Sequence, residues 1–217
     1  MTEVLHRHTL VWLPADSGWQ AQSPALAVRL RAWFAAGRPA IVARRAPGAP
    51  TDPLALGVPL PPDEGKQRLS LMVPTDAVLR HAPLPTLASV LSSAPLDWQP
   101  ALQALQQEAL QLGLCPHVFG ALAWQALTGL PYLHARSDVD LLWEIEDARQ
   151  AGAVAALLQR WEARHGLRAD GELRWRNGMA CSWREYASGA ARLLVKTDDD
   201  ARLVARAQLF DDVRVAA

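Results

Sequence analysis

Two aspartates alternate with apolar residues in residues 137–143 (SDVDLLW), and this pattern constrains the fold more than any other in the chain. Successive side chains of a β-strand point to opposite faces, so Asp138 and Asp140 share one face while Val139 and Leu141 share the other. Neighbouring carboxylates on a hydrophobic strand repel each other and lose hydration when buried. A divalent cation removes this cost, because carboxylate oxygens are ligands that Mg²⁺ accepts. The segment therefore predicts a magnesium site on a buried strand.

A glycine upstream supplies a second part of such a site. The apolar pair Val118-Phe119 ends at Gly120, and a helical pattern starts at Ala121. Free backbone N–H groups at the start of a helix attract phosphate, and Mg²⁺ usually completes its shell with substrate phosphates and water. Together the two segments indicate metal-assisted chemistry on a nucleotide-like triphosphate. The alternative for Gly120 and Ala121 is a role in helix packing alone.

Two-metal phosphoryl or nucleotidyl transfer usually needs a third carboxylate, which holds the metal near the nucleophile and helps to take its proton. The best candidate is Asp170 in residues 168–173 (RADGEL), and Glu172 is the second choice. On a strand both side chains share one face with Arg168. The alternative is a hairpin turn at Asp170-Gly171 with exposed charges, because Asp-Gly is a favoured turn pair.

The chain is poor in lysine. Of its 22 basic residues only Lys66 and Lys196 are lysines, so a lysine retained against this arginine background is a candidate for a compact ammonium contact to substrate phosphate. Lys196 precedes residues 197–200 (TDDD), and the alternative is that it pairs with those acids at the surface. Arg136 and Arg184 are further candidate neighbours of phosphate.

Composition limits the class of function. Acidic and basic residues are equal at 22 each, which argues against a nucleic-acid binder that relies on a broad basic surface. No apolar run reaches the roughly 18 residues of a membrane span, and the N-terminus lacks a signal-peptide pattern. Cys115 and Cys181 have no metal-type spacing, as is typical of reduced thiols. We therefore expect a cytoplasmic protein that binds neither nucleic acid nor membranes.

The order of predicted elements indicates an α+β or α/β fold in two domains. Residues 1–94 contain short strands, a helix over 24–36 and a proline-rich, loop-like segment over 46–65, which predict a smaller N-terminal α+β domain. Residues 95–217 predict a catalytic domain with a mixed sheet and flanking helices. Its helices are expected over 100–112, 121–127 and 148–165, and its later strands over 168–176, 179–183 and 192–196.

The segment FGALAWQALTGLPYLHARSDVDLLW resembles the active-site signature of the DNA polymerase β-like nucleotidyltransferases, in which a strand, a glycine turn and a helix precede an Asp-x-Asp strand. Within that superfamily it is similar to the malonate decarboxylase holo-acyl carrier protein synthases, also called phosphoribosyl-dephospho-CoA transferases. Further matches are HTLVWL, GVPLPPDEGKQRLSL, DGELRW and LLVKT, so the resemblance covers nearly the whole chain. Ala121 departs from the superfamily, which usually has serine there. Without the serine hydroxyl, backbone amides and other side chains would have to bind the phosphate.

The resemblance implies a function. A member of this family would transfer the prosthetic group of 2′-(5″-triphosphoribosyl)-3′-dephospho-CoA to a serine of the malonate decarboxylase acyl carrier protein and release pyrophosphate. Asp138, Asp140 and Asp170 would hold Mg²⁺ for an in-line displacement, and the N-terminal domain, with Lys66, would help to grip the donor or the carrier. Two alternatives remain open. One is a nucleotidyltransferase that uses ATP on another small molecule or protein, and the other is a catalytically inactive binding module, which Ala121 favours.

Overall fold

The computed structural model describes residues 4–16, 18–21, 23–65 and 67–215, with the backbone alone for 211–215. The chain forms two compact units. The first comprises Met1–Leu84, Leu127–Tyr132 and Asp198–Asp200, and the second comprises Pro85–Ala126, Leu133–Thr197 and Ala201–Ala217. Two six-stranded sheets and several helices make up the described residues, which confirms the predicted mixed α+β fold class. No helix among these residues is long and apolar enough to cross a membrane.

The elements follow one another without repeats. The strands are β1 (Leu10–Trp12), β2 (Gln20–Ala21), β3 (Ala40–Val42), β4 (Leu54–Pro59), β5 (Arg68–Val73), β6 (Arg80–Ala82), β7 (His117–Phe119), β8 (Val139–Ile145), β9 (Ala169–Trp175), β10 (Ala180–Ser182), β11 (Arg192–Lys196) and β12 (Ala201–Ala205). The α-helices are α1 (Pro24–Ala35), α2 (Leu87–Val90), α3 (Gln99–Gln111), α4 (Gly120–Thr128), α5 (Ala148–His165) and α6 (Trp183–Ala187). Single 3₁₀ turns and a longer 3₁₀ segment, Arg206–Val215, complete the described chain.

The first unit is built on an antiparallel sheet with strand order β2-β5-β4-β3-β1-β6. Strand β5 alternates exposed and buried residues, as expected of a sheet with one face on the core. Helix α1 begins where predicted, with Ser23 as N-cap and Pro24 in its first turn. The loop-like prediction for residues 46–65 was wrong in part, because β4 lies inside this segment. Its prolines flank the strand at Pro53 and close it at Pro59, so they interrupt no interior pairing.

The second unit is built on a sheet with strand order β12-β11-β10-β9-β8-β7. Strands β8 and β9 are parallel, and the other neighbours are antiparallel. Parallel neighbours need a crossover connection, and α5 supplies it over the range predicted from the sequence. Asp147 caps the start of α5 by accepting the Gln150 N–H, and Gly166 ends it in the left-handed conformation with a φ of 69°.

One face of this second sheet forms the core with α3 and α5. Val139, Leu141 and Trp143 project from β8 into that core, as the alternation of residues 137–143 predicted. The opposite face carries Asp138 and Asp140. Leu87 and Val90 of α2 also pack in this core, and the structural units change between Leu84 and Pro85. The boundary expected near residue 94 stays a prediction.

Candidate active site

Asp138 and Asp170 both lie close enough to Asp140, on the β8–β9 pair of the second sheet, to act on its carboxylate electrostatically. Asp140 and Asp170 are direct partners in the parallel register of β8 and β9, and Asp138 precedes Asp140 by two residues on the same face. The hairpin alternative for Asp170-Gly171 is therefore wrong, because both residues lie inside a paired strand. Parallel pairing brings together two carboxylates that are 30 positions apart in sequence.

Gly171 permits a close approach of the two strands. Its φ is 135°, and a Cβ at this position would lie 1.9 Å from the Leu141 carbonyl oxygen. Only glycine meets both conditions without displacing the strand. The Gly171 N–H donates to Asp170 Oδ1 at 2.7 Å. The glycine that suggested a turn is thus required by strand packing next to Asp170.

The start of α4 lies against Asp140. Strand β7 pairs with β8 so that Phe119 is opposite Asp140, and Gly120 follows directly with a φ of 63°. A Cβ on Gly120 would lie 1.7 Å from Asp140 Oδ2, so the carboxylate occupies the space that a side chain would take. The Ala121 N–H donates to the Asp140 carboxylate. The helix N-terminus therefore already contacts an anionic group of the protein itself.

The surroundings of Asp140 disfavour the charged form of its carboxyl group. Burial raises the pKa of Asp140 to about 7, and the charges of Asp138 and Asp170 add to the increase. The hydrogen bond from the Ala121 N–H acts in the opposite direction but does not compensate. Carboxyl groups with such a raised pKa concentrate at functional sites, where a ligand supplies the missing charge.

Glu172 lies further along the same face but has its own counter-charge. It is 5% exposed, and its Oε1 lies 2.9 Å from Lys196 Nζ. A buried carboxylate that is paired and hydrogen-bonded is tolerated without a metal. This pairing favours Asp170 over Glu172 as the third carboxylate of the proposed site, because Asp170 adds to the uncompensated charge at Asp140. It also places the Lys196 ammonium on the carboxylate face.

Arg136, Arg184 and Lys66 were also predicted to contact the substrate. Arg136 is exposed in the turn before β8, and its N–H donates to His134 Nδ1. Arg184 is held by protein groups, namely the Glu162 carboxylate and the Ala169 carbonyl. Lys66 lies outside the described residues. A substrate contact for each of these three stays a prediction.

Sequence reasoning missed the ion pair of Glu162 with Arg184. Glu162 lies on α5, seven residues before Ala169, and nothing in its local pattern distinguishes it from an ordinary surface glutamate. Only the packing of α5 against β9 brings it to the strand that carries Asp170.

The donor set fits a divalent metal ion in its chemistry. Asp138 and Asp170 act electrostatically on Asp140, and carboxylate oxygens are ligands that suit Mg²⁺. Across the residues that the structure describes, no three His, Cys, Asp or Glu side chains converge to hold an ion. Asp140 instead accepts from the Ala121 N–H and Asp170 from the Gly171 N–H, while Asp138 forms an ion pair with Arg168 Nε at 3.9 Å. Rotation of these side chains would be needed to bring the three together around an ion.

Comparisons with known proteins agree with this picture. The family model for the C-terminal domain of phosphoribosyl-dephospho-CoA transferase MdcG matches residues 86–207, and the model for the N-terminal domain matches residues 6–83. A phosphoribosyl-dephospho-CoA transferase from Xanthomonas axonopodis pv. citri is 56% identical over 209 residues, covering 94% of this chain and 96% of that protein. Relatives with the same name from Bradyrhizobium diazoefficiens and Azotobacter vinelandii are 38% and 34% identical, covering 94% and 91% of this chain and 92% and 91% of those proteins.

No solved structure matches the chain significantly. The two family models together cover most of the sequence, and the full-length relatives carry one name. These matches confirm the resemblance first seen in the glycine turn and the Asp-x-Asp strand. The chain belongs to the phosphoribosyl-dephospho-CoA transferase family.

Proposed function

We propose that this enzyme transfers the phosphoribosyl-dephospho-CoA group from 2′-(5″-triphosphoribosyl)-3′-dephospho-CoA to a serine hydroxyl of the malonate decarboxylase acyl carrier protein. Pyrophosphate is the leaving group, and the product is a phosphodiester. Family membership supports the transferred group, because the relatives are named for it. The observation that carries the chemistry is the cluster of Asp138, Asp140 and Asp170 on paired strands beside the start of α4.

The reaction is an in-line displacement at the α-phosphorus. The serine oxygen forms a bond to phosphorus while the bond to the pyrophosphate oxygen breaks, and the serine proton passes to Asp170. Asp138 and Asp140 would hold Mg²⁺ together with Asp170, and the bound ion would supply the positive charge that neutralises donor oxygens. A bound cation would also offset the burial and the charge repulsion that together raise the pKa of Asp140.

Backbone and side-chain donors near this site would hold the triphosphate. The N–H groups that follow Ala121 lie in the first turn of α4, where phosphate is favoured, whereas the Ala121 N–H itself donates to Asp140. Ala121 provides no hydroxyl, so these amides carry more of the binding. Lys196 is part-exposed, and an ammonium with three donors can contact the leaving pyrophosphate while it pairs with Glu172.

A donor-selection assay tests the substrate. Purified enzyme with Mg²⁺ and apo carrier protein is incubated with either the triphosphoribosylated dephospho-CoA or ATP, and transfer is followed by the mass of the carrier. We expect a mass increase of one phosphoribosyl-dephospho-CoA group with the first donor alone. Transfer from ATP instead would support the alternative nucleotidyltransferase, and transfer from neither donor would support an inactive binding module.

Isosteric substitutions test the carboxylates. Asp138→Asn, Asp140→Asn and Asp170→Asn each keep side-chain volume and remove a ligand charge, so each is expected to lower transfer to below a few per cent of the wild-type rate. Glu172→Gln is the matched comparison on the same strand as Asp170, and we expect it to retain more activity than Asp170→Asn. The opposite order would exchange the roles of Asp170 and Glu172.

We place the reaction in the cytoplasm. The free state of Cys115 and Cys181 is consistent with a reducing compartment. Fractionation of cells that express the tagged protein, with the carrier subunit followed in parallel, tests this location.

A further inference from the structure

Ala169, the first residue of β9, is fixed by three side-chain hydrogen bonds. Its N–H donates to Glu162 Oε1 at 2.7 Å. Its carbonyl oxygen accepts from Arg184 Nη2 at 2.7 Å and from Trp183 Nε1 at 3.3 Å. Ala169 is fully buried, so water does not compete for these groups. Both backbone polar groups of the residue before Asp170 are therefore held by side chains.

We call the side chains of Glu162, Trp183 and Arg184 the Ala169 clamp. Its two charged members, Glu162 and Arg184, are also bonded to each other. Arg184 Nη1 lies 3.2 Å from Glu162 Oε2, and Arg184 Nη2 contacts Glu162 Oε1. The guanidinium stacks over the Trp183 ring at 4.5 Å. Glu162 comes from the last turns of α5 and Arg184 from the start of α6, so two helices are tied to the backbone of one residue. Bidentate, charge-assisted bonds of this kind have a defined geometry.

The position of the clamp follows from the sheet. Strand β10 pairs with β9 only as far as Ser182 opposite Glu172, and the chain then turns into α6. The clamp therefore supplies bonds to Ala169 beyond the end of that pairing. On the other side of Asp170, Gly171 approaches the Leu141 carbonyl so closely that a Cβ would lie 1.9 Å from it. The backbone of Asp170 is thus restrained at both neighbouring residues.

We propose that Glu162 and Arg184 are positioning residues for Asp170, and that through it they set the affinity of the site for its divalent ion. This inference depends on the proposed function, because Asp170 is a metal ligand only there. Groups that orient a metal ligand typically change metal affinity or activity by about 10- to 100-fold when they are mutated. Neither residue contacts the reacting atoms in this assignment.

Direct metal binding tests the proposal without turnover. Mn²⁺ serves as a paramagnetic probe, and free Mn²⁺ is measured by electron paramagnetic resonance at increasing protein concentration. Glu162→Gln keeps an oxygen for the Ala169 N–H but loses the ion pair, and Arg184→Lys keeps the positive charge but loses the bidentate geometry. Each variant is expected to bind Mn²⁺ about tenfold more weakly than the wild type. The Mg²⁺ concentration for half-maximal transfer should rise in parallel, while KM for the donor changes less.

Glu146→Gln is the matched control. It also breaks a glutamate–arginine pair, with Arg176, but that pair is exposed and holds no backbone group of β9. Control and wild type should bind Mn²⁺ equally. Urea unfolding of every variant separates loss of stability from loss of affinity, and the two clamp variants provide independent measurements should one of them unfold.

The outcomes distinguish this inference from the proposed function. If the wild type binds Mn²⁺ and Asp170→Asn does not, but both clamp variants bind like the wild type, the clamp is only structural and the inference is overturned. If the wild type itself binds no Mn²⁺, or Asp170→Asn binds normally, the metal site of the proposed function is wrong. Weaker binding by the clamp variants and not by Glu146→Gln supports positioning.

Discussion

Asp140→Asn is expected to stabilise the metal-free protein, although it removes a carboxylate that we propose as a metal ligand. In the folded protein burial and two neighbouring carboxylates raise the pKa of Asp140 from 3.8 to about 7. Asparagine has nearly the same shape, carries no charge and keeps an oxygen that can accept from the Ala121 N–H. The variant therefore resembles the protonated wild type at every pH.

The pH dependence has a definite sign. A carboxyl group with a raised folded-state pKa binds its proton more tightly in the folded than in the unfolded chain. The wild type thus loses stability as pH rises from about 4 to about 7, and the loss is complete above pH 7. A difference between 3.8 and about 7 corresponds to at most about 4 kcal/mol, at about 1.4 kcal/mol per pKa unit. The advantage of Asp140→Asn should therefore grow by about 2 to 3 kcal/mol between pH 5 and pH 8.

Urea unfolding followed by tryptophan fluorescence, in EDTA at pH 5, 6, 7 and 8, measures this difference. Glu146→Gln, at an exposed carboxylate one residue beyond β8, is the control and should show no comparable pH-dependent gain. Added Mg²⁺ at pH 8 should stabilise the wild type more than Asp140→Asn, because the ion binds the charged carboxylates. A stability difference that stays constant from pH 5 to pH 8 would show that Asp140 carries no uncompensated charge.

Three further predictions concern other residues. Gly120→Ala should abolish transfer and lower stability, since the added methyl group would lie 1.7 Å from Asp140 Oδ2 and the φ of Gly120 is 63°; activity near wild type would contradict this. Lys196→Met should destabilise the protein by about 1 to 3 kcal/mol, because it removes the ammonium that bonds the buried Glu172 carboxylate, and adding Glu172→Leu should restore much of that loss in urea unfolding. Burial raises the pKa of Cys181 to about 12, so thiol reagents at pH 8 should label only the exposed Cys115 in the native protein, as peptide mass mapping would show.

Local patterns were enough to predict several elements and part of the site. Apolar spacing and the following glycine predicted α5 over the range that it occupies. The alternation of residues 137–143 predicted which β8 side chains lie in the core and which carry charge on the opposite face. Strand β4 was not predicted, because prolines at its ends are also typical of loops. The identity of the third carboxylate stayed open between Asp170 and Glu172.

The sequence by itself determined that Asp138 and Asp140 flank Val139 at the start of a buried strand and follow a glycine-led helix, because both features depend on residues close together in the chain. It also indicated the family, since the motif and its spacing are local. Only the tertiary structure decided that Asp170 adds to the uncompensated charge at Asp140 while Glu172 is neutralised by Lys196. Those relations depend on the register between β8 and β9 and on the packing of β11 at a distance, which no local pattern encodes.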